Sequence, residues 1–168
     1  MNILILCTGN SCRSQIAEAW LKQINPSLNV FSAGTIPEKE VNPLAVKVMK
    51  EAGIDISENK PKSVNEFLDK DWDYVITVCD DAKENCPLFT AKAKNIIHYS
   101  FEDPSKTEGN DEFIWNEFKR ISLEINHIFF FLNEKIFGKD DLICTQTECN
   151  GCEKGSCDTC QEKVCTKE

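Results

Sequence analysis

The sequence lacks any long apolar run. Its longest strongly apolar stretch, IFFFL at residues 128–132, is far too short to cross a lipid bilayer as a helix. The N-terminal MNILILC has no basic segment, no long hydrophobic stretch and no cleavage site, so we expect no secretory signal. These absences predict a cytoplasmic protein that does not use a membrane as a partner.

Basic residues are also scarce. The chain has 19 lysines and arginines against 28 aspartates and glutamates, which gives a formal net charge of −9. A general nucleic-acid-binding protein would normally present a basic surface, so we expect no nucleic-acid partner. The length of 168 residues and the hydrophobic fraction of 41% are typical of one compact domain with a real core.

Ten cysteines stand out against this ordinary background. The cytosol keeps thiols reduced, so a static disulfide framework explains them poorly, and metal binding or thiol redox chemistry explains them better. Cys7 and Cys12 lie in the first predicted loop, and Cys79 and Cys86 lie in the middle of the chain. The remaining six lie near the C-terminus, at Cys144, Cys149, Cys152, Cys157, Cys160 and Cys165.

Apolar runs and helical periodicity alternate along the first 138 residues. Four short runs predict buried strands, namely NILIL, NVFSAG, YVITV and NIIHYS. Three segments predict helices: SQIAEAWLKQI, NPLAVKVMKEAG with Asn42 as N-cap and Pro43 at the first position, and a long segment from Asp111 closed by Gly138. This order predicts an α/β fold, a four-stranded parallel sheet with helices on both faces, followed by an irregular C-terminal tail. Ligands bind such folds beyond the carboxyl ends of the strands, where Cys7 and Cys79 are both expected.

The composition changes after Gly138. Residues 139–168 contain almost no large apolar side chains, and the six cysteines recur there with alternating gaps of four and two residues. We therefore predict one domain at residues 1–138 and an appended Cys-rich tail at 139–168. Thiolates bind soft metal ions and arsenite, but this spacing does not match the usual zinc ribbon. A metallothionein-like cluster, an arsenite-binding segment, an extra redox shuttle and a tail without specific function remain alternatives.

The segment CTGNSCRS at residues 7–14 predicts an oxyanion-binding loop. It joins a strand to a helix, so backbone N–H groups and the helix N-terminus can face an anion, with Arg13 holding two of its oxygens. The same positive surroundings are expected to lower the pKa of the Cys7 thiol, and Gly9 is expected to let the backbone turn and approach closely. A tight turn with a buried free cysteine is the plainer alternative.

The stretch CTGNSCRSQIAEAW resembles the phosphate-binding loop of low-molecular-weight protein tyrosine phosphatases and of the thioredoxin-coupled arsenate reductases that share their fold. The resemblance continues in SAG, VNPLAVKVMKEAGIDIS, VITVCDDAKENCP and FEDP, and spans about residues 1–137. It implies an oxyanion-binding loop formed by Thr8, Gly9, Asn10, Ser11, Cys12, Arg13 and Ser14.

The match to the reductases implies a thiol relay. Cys7 attacks arsenate, Asp103 protonates the leaving hydroxide, Cys79 displaces arsenite, Cys86 takes over the disulfide, and thioredoxin reduces it. The resemblance also implies that Ser14 donates a hydrogen bond to the Cys7 sulfur. Phosphatases of the related branch carry aromatic residues after the Asp-Pro pair, whereas Ser105 and Lys106 follow Pro104 here. We therefore expect arsenate reduction without a required cofactor, with a low-molecular-weight phosphatase and a metal-binding module on an inactive loop as the competing functions.

One departure from the reductases concerns a potassium site that many of them hold beside the loop. Asn10, Glu18 and Ser32 match three of its ligands, but Lys62 occupies the fourth position. A lysine offers only donors and cannot bind a cation. Either its ammonium takes the place of the cation and pairs with Glu18, or it is a solvated surface lysine.

Overall fold

The computed structural model describes residues 1–79 and 93–137 of the chain. The strands are β1 (Asn2–Cys7), β2 (Asn29–Gly34), β3 (Trp72–Thr77) and β4 (Ala93–His98), and the α-helices are α1 (Arg13–Ile24), α2 (Pro43–Glu51) and α3 (Asp111–Leu132). Two short 3-10 helices lie at Val64–Phe67 and Pro104–Lys106. All four predicted strands and all three predicted helices are present, with bounds that differ by a few residues. The predicted burial is wrong for β4, because it is the edge strand of the sheet and its side chains are half-buried or exposed.

The four strands form one parallel sheet in the order β2-β1-β3-β4. β1 lies between β2 and β3, and the register pairs Cys7 with Gly34 on one side and Leu6 with Thr77 on the other. The carboxyl ends of the three strands therefore lie at one edge of the sheet, so that the loops that follow them are neighbours. The predicted α/β fold with a four-stranded parallel sheet is confirmed.

Helical segments cover both faces of the sheet. Ser32 of β2 contacts Glu18 of α1, so this side of β2 faces α1. Neighbouring side chains along a strand point to opposite faces. Phe31 accordingly faces the other side, where it packs against Phe67 of the first 3-10 helix and against Trp72. The core between these layers includes Ile3, Leu4, Ile5 and Leu6 of β1, all with no solvent exposure.

The helix boundaries follow their local chemistry. The Asn42 side chain caps α2 by accepting from the Leu44 N–H, and Pro43 takes the first helical position, where its missing donor costs nothing. The α-helical part of α3 ends at Leu132, earlier than the predicted end at Gly138. One π-helical turn follows over Asn133–Phe137. Gly138 and the predicted tail lie outside the described residues. Among the described helices, none combines the length and the apolarity that crossing a bilayer requires.

Candidate active site

The loop between β1 and α1 is held against the end of β2. The Ile36 N–H donates to the Thr8 carbonyl and the Glu38 N–H to the Gly9 carbonyl, both at 2.9 Å. Gly34 lies directly beneath this contact, and a Cβ atom there would be 2.5 Å from the Thr8 oxygen. Any side chain at residue 34 would therefore push the loop away from the sheet. The sequence analysis did not assign this role to Gly34, although SAG was part of the resemblance.

The tight turn of the loop is made by Asn10 and not by Gly9. Asn10 has φ +48°, in the left-handed region that asparagine tolerates better than most residues. Gly9 is needed for space, since a Cβ atom there would meet the Glu38 side chain at 3.0 Å. The expectation that Gly9 would supply the turn is therefore wrong, and its close approach to a neighbouring segment is what the structure shows.

The fully buried side chain of Asn10 connects four parts of the site. Its Oδ1 accepts from the Lys62 backbone N–H at 2.8 Å and from Gln15 Nε2 at 3.2 Å. Its Nδ2 donates to the hydroxyl oxygens of Ser14 and Ser32, both at 2.8 Å. Because both amide protons are spent on the two serines, each hydroxyl proton is free to point elsewhere.

The hydrogen bond between Ser14 and Cys7 has a direction that depends on the protonation of Cys7. Ser14 Oγ lies 2.9 Å from Cys7 Sγ and already accepts from Asn10. Its own proton is therefore available to the sulfur, and once Cys7 is a thiolate the hydroxyl must be the donor of this bond. The Asn10 backbone N–H, at 3.1 Å, is a second donor to the same atom. The Cys7 sulfur thus receives hydrogen bonds suited to a thiolate.

Burial nevertheless raises the pKa of the Cys7 thiol above its ordinary value. Only 3% of Cys7 is exposed, and loss of hydration disfavours the anion more than the hydrogen bonds from Ser14 and Asn10 favour it. The expectation of a lowered pKa is therefore wrong. Burial raises the pKa of Cys12 as well, and the Asp103 charge adds to this effect while the Arg13 charge opposes it.

Arg13 and Asp103 form an ion pair at the rim of the site. Arg13 Nη2 lies 2.7 Å from Asp103 Oδ2, and Nη1 donates to the Phe101 carbonyl at 3.0 Å. The other oxygen of Asp103 accepts from the backbone N–H and the hydroxyl of Ser105. Asp103 is thus held beside the loop, where it is paired with the guanidinium that was predicted to bind an oxyanion.

Cys79 lies beside the loop, as its place after β3 predicted. Val78 N–H donates to the Leu6 carbonyl, which continues the pairing of β3 with β1 to the end of the strands. Cys79 Sγ lies 3.5 Å from Thr8 Oγ1, and only 2% of Cys79 is exposed. Both Cys7 and Cys79 are free thiols in this structure. Cys86, the third predicted relay thiol, lies outside the described residues, as do the six tail cysteines.

The four residues compared with a potassium site also lie together. Lys62 Nζ is 3.5 Å from Glu18 Oε2, and the Ser32 hydroxyl donates to the same oxygen. Lys22, one helical turn after Glu18, contacts Oε1 at 2.5 Å and was not foreseen. The Lys62 side chain is 30% exposed, while its backbone binds both Asn10 and Gly34. This geometry favours the interpretation in which the Lys62 ammonium takes the place of the cation, and it speaks against a freely solvated lysine.

Two further residues hold the loop and were missed. Gln15 donates to the carbonyl of Asn10 at 3.1 Å, and Asn59 donates to Gln15 Oε1 at 3.0 Å. The position of Gln15 directly after CRS, in the first turn of the helix that follows the loop, was the available signal. His98, for which no partner was foreseen, lies 2.7 Å from the Thr77 hydroxyl. No group of three or more metal-ligating side chains occurs within residues 1–79 and 93–137.

A cleft of about 230 Å³ opens above Cys7. Its floor is the loop, and its rim is formed by Ile36 and Glu38 on one segment and by Asp103, Ser105 and Lys106 on another. The cleft is small and polar, with a thiol below and an arginine at one side. It can hold a tetrahedral oxyanion against a nucleophilic sulfur.

Comparisons with known proteins agree with this geometry. Residues 2–127 match the family described as low molecular weight phosphotyrosine protein phosphatase. The chain is 48% identical over 124 residues to the arsenate reductase of Halalkalibacterium halodurans, which covers 73% of this chain and 88% of that protein. It is 43% identical over 126 residues to the arsenate reductase of Bacillus subtilis, which covers 74% and 89%.

Solved structures show the same fold. An arsenate reductase in the phosphate-binding state superposes with a TM-score of 0.68 at 28% identity, covering 80% of this chain and 98% of that one. A low molecular weight protein tyrosine phosphatase from T. tengcongensis superposes with a TM-score of 0.67 at 27% identity, covering 81% and 99%. The chain is thus similar both to reductases and to phosphatases built on one fold.

Proposed function

The chain belongs to the low molecular weight phosphotyrosine protein phosphatase family, and within it we propose that this protein reduces arsenate to arsenite. The observation that carries the proposal is the second buried thiol. Cys79 is held against the oxyanion loop through Thr8, next to the strand that ends in Cys7. A phosphatase needs a nucleophile, an anion-binding loop and an acid, but no second thiol. A thiol-dependent reductase does need one, because it must supply two electrons.

The first step forms a bond between sulfur and arsenic. Arsenate enters the loop and binds its N–H groups and Arg13, and the Cys7 thiolate attacks the arsenic. The guanidinium then shares its hydrogen bonds with the substrate, so Asp103 is no longer tied to it as a carboxylate. Asp103 can bind a proton and pass it to the oxygen that leaves as water.

The second step transfers the two electrons. The Cys79 thiolate attacks the Cys7 sulfur, a disulfide forms, and the pair of electrons of the sulfur–arsenic bond stays on arsenic, which leaves as arsenite. Cys86 then attacks Cys79 and frees Cys7, leaving a Cys79–Cys86 disulfide. We propose thioredoxin as the dithiol that reduces this bond, and a cytoplasmic location where thioredoxin is kept reduced. The chemistry uses thiols throughout, so we propose no required cofactor.

Phosphatase activity is the runner-up, because a loop that holds arsenate also holds phosphate. We expect weak hydrolysis of small aryl phosphates, which requires Cys7 but not Cys79. A metal-binding module on an inactive loop is less well supported, since Cys7, Arg13 and Asp103 all lie at one cleft. Binding of soft metal ions or arsenite by the tail is a separate proposal, based on the tail cysteines alone.

The test follows NADPH oxidation with arsenate, thioredoxin and thioredoxin reductase. We expect turnover by the unaltered chain, none by Cys7→Ser, and at most a single reduction event by Cys79→Ser or Cys86→Ser. Cys165→Ser is the matched control, because it removes a thiol from the tail. Cys79→Ser should still hydrolyse a small aryl phosphate. Unaltered turnover in Cys79→Ser would contradict the relay, and aryl phosphate hydrolysis without any arsenate reduction by the unaltered chain would favour the phosphatase.

A further inference from the structure

The charged side chains of the cleft above Cys7 are evenly balanced. Arg13 and Lys106 carry positive charge, and Glu38 and Asp103 carry negative charge. Arg13 is already paired with Asp103 at 2.7 Å. Lys106 is therefore the cation of the cleft that remains available to an incoming anion, and Glu38 is the carboxylate that opposes it.

Lys106 is held at this place by its backbone. It ends the short 3-10 helix that follows Asp103, and its N–H donates to the Asp103 carbonyl at 3.1 Å. The Asp103 side chain fixes the same turn by accepting from the Ser105 N–H. The Lys106 ammonium, by contrast, makes no hydrogen bond or ion pair with any part of the chain that the structure describes. The Lys106 backbone is thus fixed at the mouth of an anion-binding cleft, and its exposed, flexible side chain can bring an ammonium with available donors to a bound anion.

The chemistry of the rim discriminates between substrates. An inorganic oxyanion presents charged oxygens in all directions, including toward the mouth. An aryl ester presents a ring there, and a ring is stabilised by apolar walls. Ile36, which is 73% exposed, is the apolar side chain at the rim, while Ser105 and Lys106 line the segment that follows Asp103. Such a mouth pairs well with a free oxyanion and poorly with an aromatic ring.

We propose that Lys106 is a specificity-determining residue that binds an outward-facing oxygen of a free tetrahedral oxyanion and so favours inorganic arsenate or phosphate over aryl phosphate esters. The proposal rests on the proposed function for its natural substrate, but it concerns anion binding and can be measured without turnover. The net charge of −9 makes a local cation at the cleft more important for binding, because the molecule as a whole repels anions.

The test measures the Kd of inorganic phosphate by calorimetry on the full, reduced chain. Lys106→Met should weaken binding about two- to fivefold, the range expected for an exposed charge pair, and Lys106→Glu should weaken it further. Lys106→Arg should bind phosphate about as well as the unaltered chain. Lys50→Met is the matched control, because Lys50 is exposed at the far end of α2, on the order of 10 Å along the helix from the end that contacts the loop. Added salt should weaken binding less in Lys106→Met than in the unaltered chain.

A second measurement addresses specificity. The ratio of kcat/KM for arsenate reduction to kcat/KM for p-nitrophenyl phosphate hydrolysis should fall several-fold in Lys106→Met, with the loss appearing in the KM for arsenate. Equal phosphate Kd values in Lys106→Met and the unaltered chain would overturn the proposal, as would an equal loss in Lys50→Met or no measurable phosphate binding at all. Failure of the unaltered chain to reduce arsenate would instead contradict the proposed function, and the phosphate measurement would still decide the role of Lys106.

Discussion

Replacing Ser14 by alanine should lower the fraction of Cys7 that is ionised at neutral pH. The Ser14 hydroxyl lies 2.9 Å from the Cys7 sulfur and must donate when Cys7 is a thiolate, and both residues are buried, so water cannot replace the lost bond easily. A hydrogen bond to a charged group contributes about 1.5–3 kcal/mol. Since about 1.4 kcal/mol corresponds to a factor of ten, the thiolate population should fall about 10- to 100-fold.

The pH dependence gives the sign of the effect. Burial already raises the pKa of the Cys7 thiol, and removal of a donor raises it further. Below the Cys7 pKa of the unaltered chain and that of Ser14→Ala, the thiolate fraction of the variant should therefore be lower by a constant factor. This factor should shrink to one as the pH rises above both pKa values. Cys7 alkylation by iodoacetamide, followed by mass spectrometry of the Cys7 peptide over a range of pH, measures this curve directly. The rate of the first arsenate turnover should follow the same curve.

Ser32→Ala is the matched control for this experiment. Ser32 accepts from the same Asn10 amide at the same distance of 2.8 Å, and it is equally buried, but it donates to Glu18 and not to Cys7. It should therefore leave the Cys7 alkylation curve close to that of the unaltered chain, provided that thermal melts show both variants folded. An unshifted curve in Ser14→Ala, or the same shift in both variants, would refute the inferred direction of the Ser14 hydrogen bond.

Three further outcomes are expected. Potassium chloride should stabilise the unaltered chain no more than a salt of a large organic cation at equal ionic strength, because the Lys62 and Lys22 ammonium groups already contact Glu18. Lys62→Asp should gain a potassium-specific rise in Tm. A rise of equal size in the unaltered chain would contradict this prediction. Cys12 should be alkylated more slowly than Cys7, since burial and the Asp103 charge raise its pKa, whereas the Cys7 sulfur is hydrogen-bonded to Ser14 and to the Asn10 N–H. Mass spectrometry of the two peptides would reveal the opposite order. Truncation after Gly138 should leave a folded enzyme that turns over with thioredoxin, because the tail has few large apolar side chains. The truncated chain should bind fewer arsenite equivalents, because it has lost six cysteines. Equal arsenite stoichiometry by mass spectrometry would refute a binding role of the tail.

Much of the fold could be predicted from local patterns. Each strand coincides with a short apolar run that can be recognised from neighbouring residues alone, and the second helix carries its own start signals in Asn42 and Pro43. The parallel order of the elements then brings Cys7 and Cys79 to one edge of the sheet. Such features depend on near neighbours along the chain, so a single sequence is enough to find them.

The ionisation of the site could not be predicted in the same way. The loop sequence indicated a positive environment, but the net effect on Cys7 depends on how deeply the loop is buried. Burial is a property of the packed molecule, and it reversed the expected direction of the Cys7 pKa. The partner of Arg13 is likewise set by packing, since Asp103 lies 90 residues away along the chain.

The sequence by itself determined the thiol proposed as nucleophile, the strand-to-helix loop that carries it and the sheet that positions it, because these follow from residue type and periodicity over a few positions. Only the tertiary structure decided that Asn10 turns the loop and orients two serines, that Gly34 must lack a side chain, and that Lys62 pairs with Glu18. It also decided that Lys106 lies with its ammonium unpaired at the mouth of the cleft, as far as the described residues extend. Each of these facts joins atoms from segments far apart in the chain, and the distances between such atoms exist only once the layers have packed.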